Sequence, residues 1–239
     1  MSILAVDIGN SRVKWGLWHA AWQRQDSVAN GDAALLANSW QASIHPEYVI
    51  ASNVAGIHMS EWLNAWAHSR GLAVRWVASQ SEQCGVRNRY TRPGQLGSDR
   101  WAALIGARHL VHGAALIINA GTAVTIDALT HDGDFLGGLI VPGLELMAAM
   151  LARGTAGLSP TAGTFQEFPR NTADAIASGA ILSVCGAIQR MEVALAERDR
   201  KPRILLSGGA AEVIDKHLGL ASRRVPNLVL EGLRVIATD

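Results

Sequence analysis

Short apolar runs alternate with stretches of helical periodicity along the whole chain. Runs of four to eight apolar residues are typical of buried strands, and apolar residues three or four apart indicate helices. The pattern predicts strands at 3–6, 12–18, 48–51, 72–77, 114–118, 124–129, 135–141, 203–206 and 227–230. It predicts helices at 31–41, 60–70, 98–112, 172–198 and 212–218, and another that begins at Pro142. Strands that alternate with helices indicate an α/β protein.

Hydroxyl and proline residues predict where several of these helices begin. Ser60 and Ser98 are suited to the N-cap position, and Pro142 is suited to the first helical position. Residues 83–97 contain three Gly, one Pro and three Arg, with little periodicity. Because a helix starts directly after this segment, we expect an ordered loop over a cleft and no linker there.

An internal repeat relates the two halves of the chain. Residues 3–11 (Ile-Leu-Ala-Val-Asp-Ile-Gly-Asn-Ser) align with residues 115–123 (Ala-Leu-Ile-Ile-Asn-Ala-Gly-Thr-Ala). Each copy is an apolar strand followed by Asp or Asn, a glycine turn and a returning strand. Two ordinary β-hairpins would give the same pattern, but a glycine turn also exposes backbone N–H groups that can bind phosphate. The near half-length spacing, together with Gly208-Gly209, favours a polyphosphate bound by both turns. We call residues 7–14 the first glycine turn and residues 119–122 the second.

Composition excludes several classes of protein. Apolar residues make up 49% of the 239 residues and charged residues 17%, which is the reverse of a disordered chain. The net charge of +1 does not indicate a nucleic-acid partner. We expect no membrane span and no signal peptide, because the apolar runs are short and Asp7 interrupts the first one. Two cysteines without a CxxC pair indicate reduced thiols and a cytoplasmic protein.

The paired turns resemble those of the actin, sugar kinase and Hsp70 superfamily, which has two ribonuclease-H-like lobes with a cleft between them. The resemblance implies lobes at 1–113 and 114–239. Within this superfamily the chain resembles type III pantothenate kinase in six stretches that follow the family's order. They are Asp7-Ile-Gly-Asn-Ser-Arg-Val-Lys14-Trp-Gly, Tyr90-Thr-Arg-Pro-Gly-Gln-Leu-Gly97-Ser-Asp99-Arg100-Trp, Asn119-Ala-Gly-Thr-Ala-Val-Thr-Ile-Asp127, Phe135-Leu-Gly-Gly-Leu-Ile-Val-Pro-Gly143, Asn171-Thr172-Ala-Asp-Ala-Ile and Ser207-Gly-Gly-Ala210.

The resemblance implies an enzyme that transfers the γ-phosphoryl group of ATP to pantothenate, giving 4′-phosphopantothenate in the first step of coenzyme A biosynthesis. One alternative is a non-catalytic regulatory protein of the Bvg accessory factor type on the same fold, which would have lost the base or a phosphate loop; neither loss is present. Another is a different phosphotransferase or a phosphatase of the superfamily. The stretch from Tyr90 to Arg100 argues against it, because it matches the family's pantothenate-contact positions.

Residue roles follow from the resemblance position by position. Asp99 matches the base that accepts the proton of the substrate hydroxyl, and Thr172 matches a substrate contact supplied by the partner subunit of a homodimer, so that the substrate site lies near the interface. The ATP contacts correspond to Asp7, Ile8, Gly9, Asn10, Ser11, Arg12, Val13, Lys14 and Thr122. The pantothenate contacts correspond to Tyr90, Gly97, Ser98, Asp99, Arg100 and Thr172. Simpler roles stay open: Asp7 as a turn residue, Asp99 as an acid at a helix N-terminus, and Thr172 as a helix cap.

Two metal sites are implied as well. Asp7 is suited to hold Mg²⁺ through water, because Mg²⁺ usually keeps several of its waters. The family usually has Asp at the position of Asn119, where it is associated with a monovalent cation, K⁺ or NH₄⁺. Asn keeps a carbonyl oxygen but loses the charge, so we expect cation binding at Asn119 to be weaker, shifted or absent.

Overall fold

A computed structural model describes residues 1–40, 45–154 and 163–239. The last residue of the predicted helix 31–41 lies outside the described residues. The strands are β1 (Ile3–Ile8), β2 (Arg12–His19), β3 (Ala21–Ala29), β4 (Tyr48–Asn53), β5 (Val74–Trp76), β6 (Glu82–Gln83), β7 (Val86–Asn88), β8 (Ala115–Ala120), β9 (Ala123–Leu129), β10 (Asp134–Pro142), β11 (Arg203–Ser207) and β12 (Ser222–Arg224). The helices are α1 (Ala33–Trp40), α2 (Ile57–His68), α3 (Ser98–Leu110), α4 (Leu144–Gly154), α5 (Thr172–Arg198), α6 (Ala211–Leu218) and α7 (Leu228–Thr238), with a 3₁₀ turn at Pro93–Gln95.

The chain forms two compact units whose sheets have the same topology. One unit contains Met1–Val111 and Asn227–Asp239, and the other contains His112–Pro226. The first sheet has the order β3-β2-β1-β4-β5, and the strands of the second unit follow the equivalent order β10-β9-β8-β11-β12. In each unit the first three strands are antiparallel, and the last two run parallel to the first. This shared topology confirms the two ribonuclease-H-like lobes.

Indole rings fill much of the core of the first unit. All six residues of β1, the central strand, are buried. Trp40 of α1 packs edge-on against Trp66 of α2 and Trp15 of β2, with ring centroids 4.7 and 5.9 Å away. Aromatic pairs at such separations stabilise a core beyond the area that they bury. Core packing therefore accounts for several of the chain's eight tryptophans.

The long helix α5 forms the core of the second unit together with α6. Its residues Val184 and Ile188 are fully buried and pack with Leu116 and Ile118 of β8 and with Ile214 of α6. By length and composition alone α5 is apolar enough to cross a membrane. In this fold, however, one of its faces lies against the sheet.

The C-terminal segment differs from its prediction. An apolar run predicted a strand at 227–230, but Leu228–Thr238 is helix α7, and it belongs to the first unit, outside the predicted second lobe. Gly232 of α7 lies against the backbone of Ala102 in α3, and Gly106 of α3 lies against Gly232 and Leu228. A side chain on either glycine would collide with the facing backbone. The close packing of α3 and α7 explains why this helix stays with the first unit.

Several local expectations were wrong. Ser60 lies inside α2, which follows Gly56, and its hydroxyl donates to the carbonyl of Ile57. Ser98 is the first residue of α3 and Gly97 precedes it as the cap. Pro142 ends β10, two residues before α4 begins. Strands β3 and β12 were not predicted, because their residues are mostly polar and exposed or half-buried.

Candidate functional site

The first glycine turn joins β1 to β2. The N–H of Gly9 donates to the carbonyl of Arg12 at 3.0 Å and closes the turn. Asn10 and Ser11 at its tip are exposed, whereas the side chains of Ile8 and Val13 are buried in the core. Of the predicted ATP contacts, the tip residues can therefore use side chains, but Ile8 and Val13 can offer only backbone groups.

Strand β3, which sequence reasoning missed, holds this turn in place. The Arg12 guanidinium donates to the hydroxyl of Ser27 at 2.7 and 3.1 Å and to its carbonyl at 3.1 Å. Directly after β3, the Asn30 side chain donates to the Asn10 carbonyl at 3.1 Å, and its backbone N–H donates to the Ser11 carbonyl at 2.9 Å. Arg12, a predicted ATP contact, thus has a structural role in the turn.

Asp7 lies at the base of the first turn, where its side chain is almost fully buried. It is 8% exposed, and its Oδ1 accepts a 2.7 Å hydrogen bond from the buried hydroxyl of Ser52 on β4. Burial raises the pKa of Asp7 to about 6; the Ser52 hydrogen bond and the charge of Lys14 lower the pKa, while the charge of Asp99 raises it. Lys14 is the register partner of Asp7 on β2. Asp7 and Lys14, predicted from the motif, are thus neighbours.

The donor set at Asp7 fits a magnesium ion bound with nucleotide. Mg²⁺ is commonly held by one or two carboxylates, several waters and substrate phosphates. Ser52 occupies only Oδ1, and among the described residues no donor contacts Oδ2. A cation also favours the ionised form of a carboxylate whose pKa burial has raised. Asp7 could therefore hold Mg²⁺ through a water molecule.

Asp99 lies in the first turn of α3, next to a glycine that makes room for it. Its Oδ1 accepts the backbone N–H of Arg100 at 2.8 Å. A Cβ built on Gly97 would lie 2.6 Å from the same oxygen, closer than real Cβ contacts allow. Gly97 therefore permits this orientation of the half-buried Asp99 carboxylate. The hydroxyl of Ser98 bonds the backbone of Asn53, accepting from its N–H at 3.3 Å and donating to its carbonyl at 3.4 Å, and so fixes the start of α3 against the end of β4.

Arg100 and Tyr90 contact each other beside Asp99. Arg100 is 6% exposed, and one guanidinium nitrogen donates to the Tyr90 hydroxyl at 3.2 Å. Buried Asn88, which sequence reasoning missed, orients this region by accepting the Tyr90 N–H at 3.1 Å and donating to the Pro93 carbonyl at 3.2 Å. The first unit thus brings together the predicted base and two predicted pantothenate contacts.

The second glycine turn lies in the other unit and is one residue shorter than the first, because Ala120 pairs with Val124 where Ile8 pairs with Val13. The N–H of Gly121 donates to the carbonyl of Ala123 at 3.0 Å, and Thr122 at the tip is exposed. Gly208, with φ of +98°, lies so close to the backbone of Ala120 that a Cβ there would collide with it. The Ser207-Gly-Gly-Ala turn therefore packs directly beside the second turn.

Asn119 has neutral neighbours on both sides. Its register partners are Ser207 on β11 and Thr125 on β9. The Thr125 hydroxyl is buried, and it has no hydrogen-bond partner among the described residues. A buried polar atom without a partner is costly, and a bound water or ion can satisfy it. Oxygen atoms of this kind fit a monovalent cation that needs no carboxylate.

Thr172 begins α5 beside an apolar groove. Asn171 caps the helix, accepting the N–H of Asp174 at 2.9 Å, so capping does not depend on Thr172. Thr172 is exposed and lines a groove of about 510 Å³ between α4 and α5. The other lining residues are mostly apolar: Pro142, Met147, Met150, Leu151, Ala175, Ile176, Gly179, Ala180 and Ser183.

Comparisons with known proteins agree on one family. The family model for type III pantothenate kinase matches residues 3–194. The type III pantothenate kinase of Aromatoleum aromaticum is 45% identical over 99% of this chain and 98% of its own length. That of Nitrosospira multiformis is 44% identical over 99% of this chain and 91% of its own.

Solved structures show the same fold at low identity. A protein from Campylobacter jejuni, described as of the Baf family of transcriptional activators, has a TM-score of 0.62 at 19% identity and covers 98% of this chain and 97% of its own. The activator of 2-hydroxyisocaproyl-CoA dehydratase from Clostridium difficile, with bound ADPNP, has a TM-score of 0.53 at 12% identity. It covers 99% of this chain and 93% of its own.

Proposed function

This chain belongs to the type III pantothenate kinase family, and we propose that its Asp99 is the base of an ATP-dependent phosphorylation of pantothenate. The observation that carries the proposal is the arrangement of Asp99, Arg100 and Tyr90 at the start of α3. The Asp99 carboxylate lies in the first turn of the helix and accepts the backbone N–H of Arg100. An ionised carboxylate can accept the proton of the primary hydroxyl as the phosphoryl group arrives.

The same proposal gives Arg100 and Tyr90 the task of binding pantothenate. Arg100 supplies a guanidinium whose fixed geometry suits the substrate carboxylate. Its contact with Tyr90 holds it in place before substrate arrives. Gly97 and Ser98 fix the start of α3, so the base and the substrate contacts keep one geometry. Such positioning, more than covalent chemistry, is what phosphoryl transfer requires of a protein.

The proposed ATP contacts lie in the glycine turns of the two units. Exposed Asn10, Ser11 and Thr122 offer polar side chains, and Lys14 offers a point charge for phosphate. Asp7 would hold Mg²⁺ through water, and the ion when bound neutralises charge on the phosphates. For the second turn, we propose a K⁺ or NH₄⁺ site with the neutral oxygens of Asn119 and Thr125.

A coupled assay tests the proposed activity directly. ATP consumption by the full chain is measured with pantothenate and, as the control, without it. We expect turnover that depends on pantothenate and a product that carries one phosphate on the primary hydroxyl. Equal turnover in both reactions would overturn the assignment of pantothenate as substrate.

We also propose a homodimer that covers the groove beside Thr172. Met150 lines this groove and is 58% exposed, and Ile140 on β10 is 64% exposed. Exposed apolar surface of this kind marks an interaction site. A second copy on this face would bring Thr172 to the partner's substrate, the role that the family assigns to this position. The free thiols Cys84 and Cys185 are consistent with a cytoplasmic dimer.

A charge placed in the groove tests the dimer. Met150→Glu should yield a mass near 25.4 kDa by light scattering, where the native chain gives about twice that, with loss of most pantothenate kinase activity. The matched control is Val213→Glu, since Val213 is an exposed apolar residue of α6 that does not line the groove. A fully active Met150→Glu monomer would show that the partner supplies nothing to the site.

A further inference from the structure

A buried hydroxyl without an assigned role lies beside Asp7. Ser52 is the fifth residue of β4 and is fully buried. Its Oγ donates to Oδ1 of Asp7 at 2.7 Å. Strands β1 and β4 are parallel, and Asp7 and Ser52 are register partners. The backbone ladder of the sheet therefore fixes the distance between the two side chains.

This contact determines which carboxylate oxygen is available. Ser52 donates to Oδ1, and no donor among the described residues contacts Oδ2. Lys14 is the register partner of Asp7 on the other neighbouring strand, so its side chain lies on the same face of the sheet. A buried carboxylate held at one oxygen keeps one rotamer, and the second oxygen then points in one direction.

We propose that Ser52 is a positioning residue that orients Oδ2 of Asp7 toward the water shell of a metal–nucleotide complex. The inference rests on the proposed role of Asp7 in holding Mg²⁺ through water. Partners that orient a metal-binding carboxylate commonly change metal affinity by about 10- to 100-fold when they are removed. Because the contact to the ion passes through water, we expect the lower end of that range.

Calorimetric titration of the full chain separates this role from a merely structural one. ATP is titrated once with Mg²⁺ and once with EDTA, and pantothenate KM is measured in parallel. Ser52→Ala should raise the Kd of Mg·ATP about tenfold. The Kd of metal-free ATP and the KM of pantothenate should stay within twofold of the native values. Ser52→Cys, which fills nearly the same space but donates weakly, is the second variant. It should change the three values in the same way as Ser52→Ala.

Two further variants serve as controls for Ser52→Ala. Ser69→Ala removes a serine hydroxyl that donates to the Trp66 carbonyl in the same unit, and it should leave all three values unchanged. Asp7→Asn should weaken Mg·ATP at least as much as Ser52→Ala. Two results would overturn the Ser52 inference while Asp7→Asn still weakens Mg·ATP binding. In the first, Ser52→Ala leaves all three values unchanged, as Ser69→Ala does. In the second, Ser52→Ala weakens ATP binding equally with and without metal; in both cases Asp7 keeps its role. If Asp7→Asn leaves Mg·ATP unchanged, both proposals fail.

Discussion

The two glycine turns follow equivalent strands but differ in length and in charge. In each, the glycine N–H donates across the turn at 3.0 Å, from Gly9 to Arg12 and from Gly121 to Ala123. The residue two positions before each glycine has a register partner on one parallel strand and another on one antiparallel strand. Asp7 lies between Ser52 and Lys14, whereas Asn119 lies between Ser207 and Thr125.

Equivalent strand pairs in the two units therefore present different groups to a ligand. The first turn has a carboxylate with an ammonium group beside it, which suits a divalent ion and phosphate together. The second has only amide and hydroxyl groups, which suit phosphate or a weakly held monovalent ion. Because Asn119 carries no charge, the second turn also avoids the desolvation cost that raises the pKa of Asp7.

The largest effect on activity is expected at Asp99, which lies in the same unit as the first glycine turn. Asp99→Asn keeps the shape of the side chain but removes the proton acceptor. Loss of a general base typically lowers kcat by about 10²–10⁴-fold. ATP affinity and melting temperature should change little, because both turns stay intact and an acid at this helix position contributes at most about 1 kcal/mol. Single-turnover kinetics, ATP titration and thermal melts check the three parts.

A folded Asp99→Asn protein that phosphorylates pantothenate within threefold of the native rate would contradict the base assignment. It would reduce Asp99 to an acid at a helix N-terminus and leave the fold and the ATP turns unaffected.

Asp7→Asn makes the first turn resemble the second and should stabilise the protein at neutral pH. The folded protein keeps Asp7 protonated up to about pH 6, whereas the unfolded chain releases this proton near 3.8. Ionisation of Asp7 therefore costs folding free energy that grows as the pH rises between these values and is constant above them. Raising the pKa from 3.8 to about 6 corresponds to roughly 3 kcal/mol. Asn avoids this cost at every pH.

Chemical denaturation near pH 8 and below pH 4 measures the effect. Asp7→Asn should exceed the native free energy of unfolding near pH 8 and match it below pH 4. A variant whose free energy of unfolding equals the native value at both pH values would mean that Asp7 is ionised in the folded state as readily as in the unfolded chain.

Asn119→Asp makes the opposite exchange and should have the smallest effect. A carboxylate attracts a hard monovalent cation more strongly than an amide does. We therefore expect the native rate to respond weakly to K⁺ and the variant to respond more steeply, measured as initial rate against K⁺ at constant ionic strength. A native rate that rises steeply with K⁺, and is unaltered by Asn119→Asp, would show that backbone carbonyls alone hold the ion.

The sequence predicted the parts of the site that lie within one motif. Asp7, Asn119 and their glycines stand at the ends of apolar runs, so a local pattern was enough to find them. Ser52 and Thr125 were missed because their importance depends on strand register, and Ser52 is 45 residues from Asp7. Strand β3 was missed because both of its faces are largely polar. Helix α7 was mistaken for a strand because Gly232, a poor helix former, interrupts a short apolar run.

Helix α7 makes the first unit discontinuous along the chain. The ribosome completes the second unit, residues 112–226, before it makes the segment that packs against α3. Until Gly232 emerges, the surface around Gly106 stays uncovered, so the first unit must finish folding last. A nascent chain stalled just before α7 should therefore hold a folded second half and an open first half.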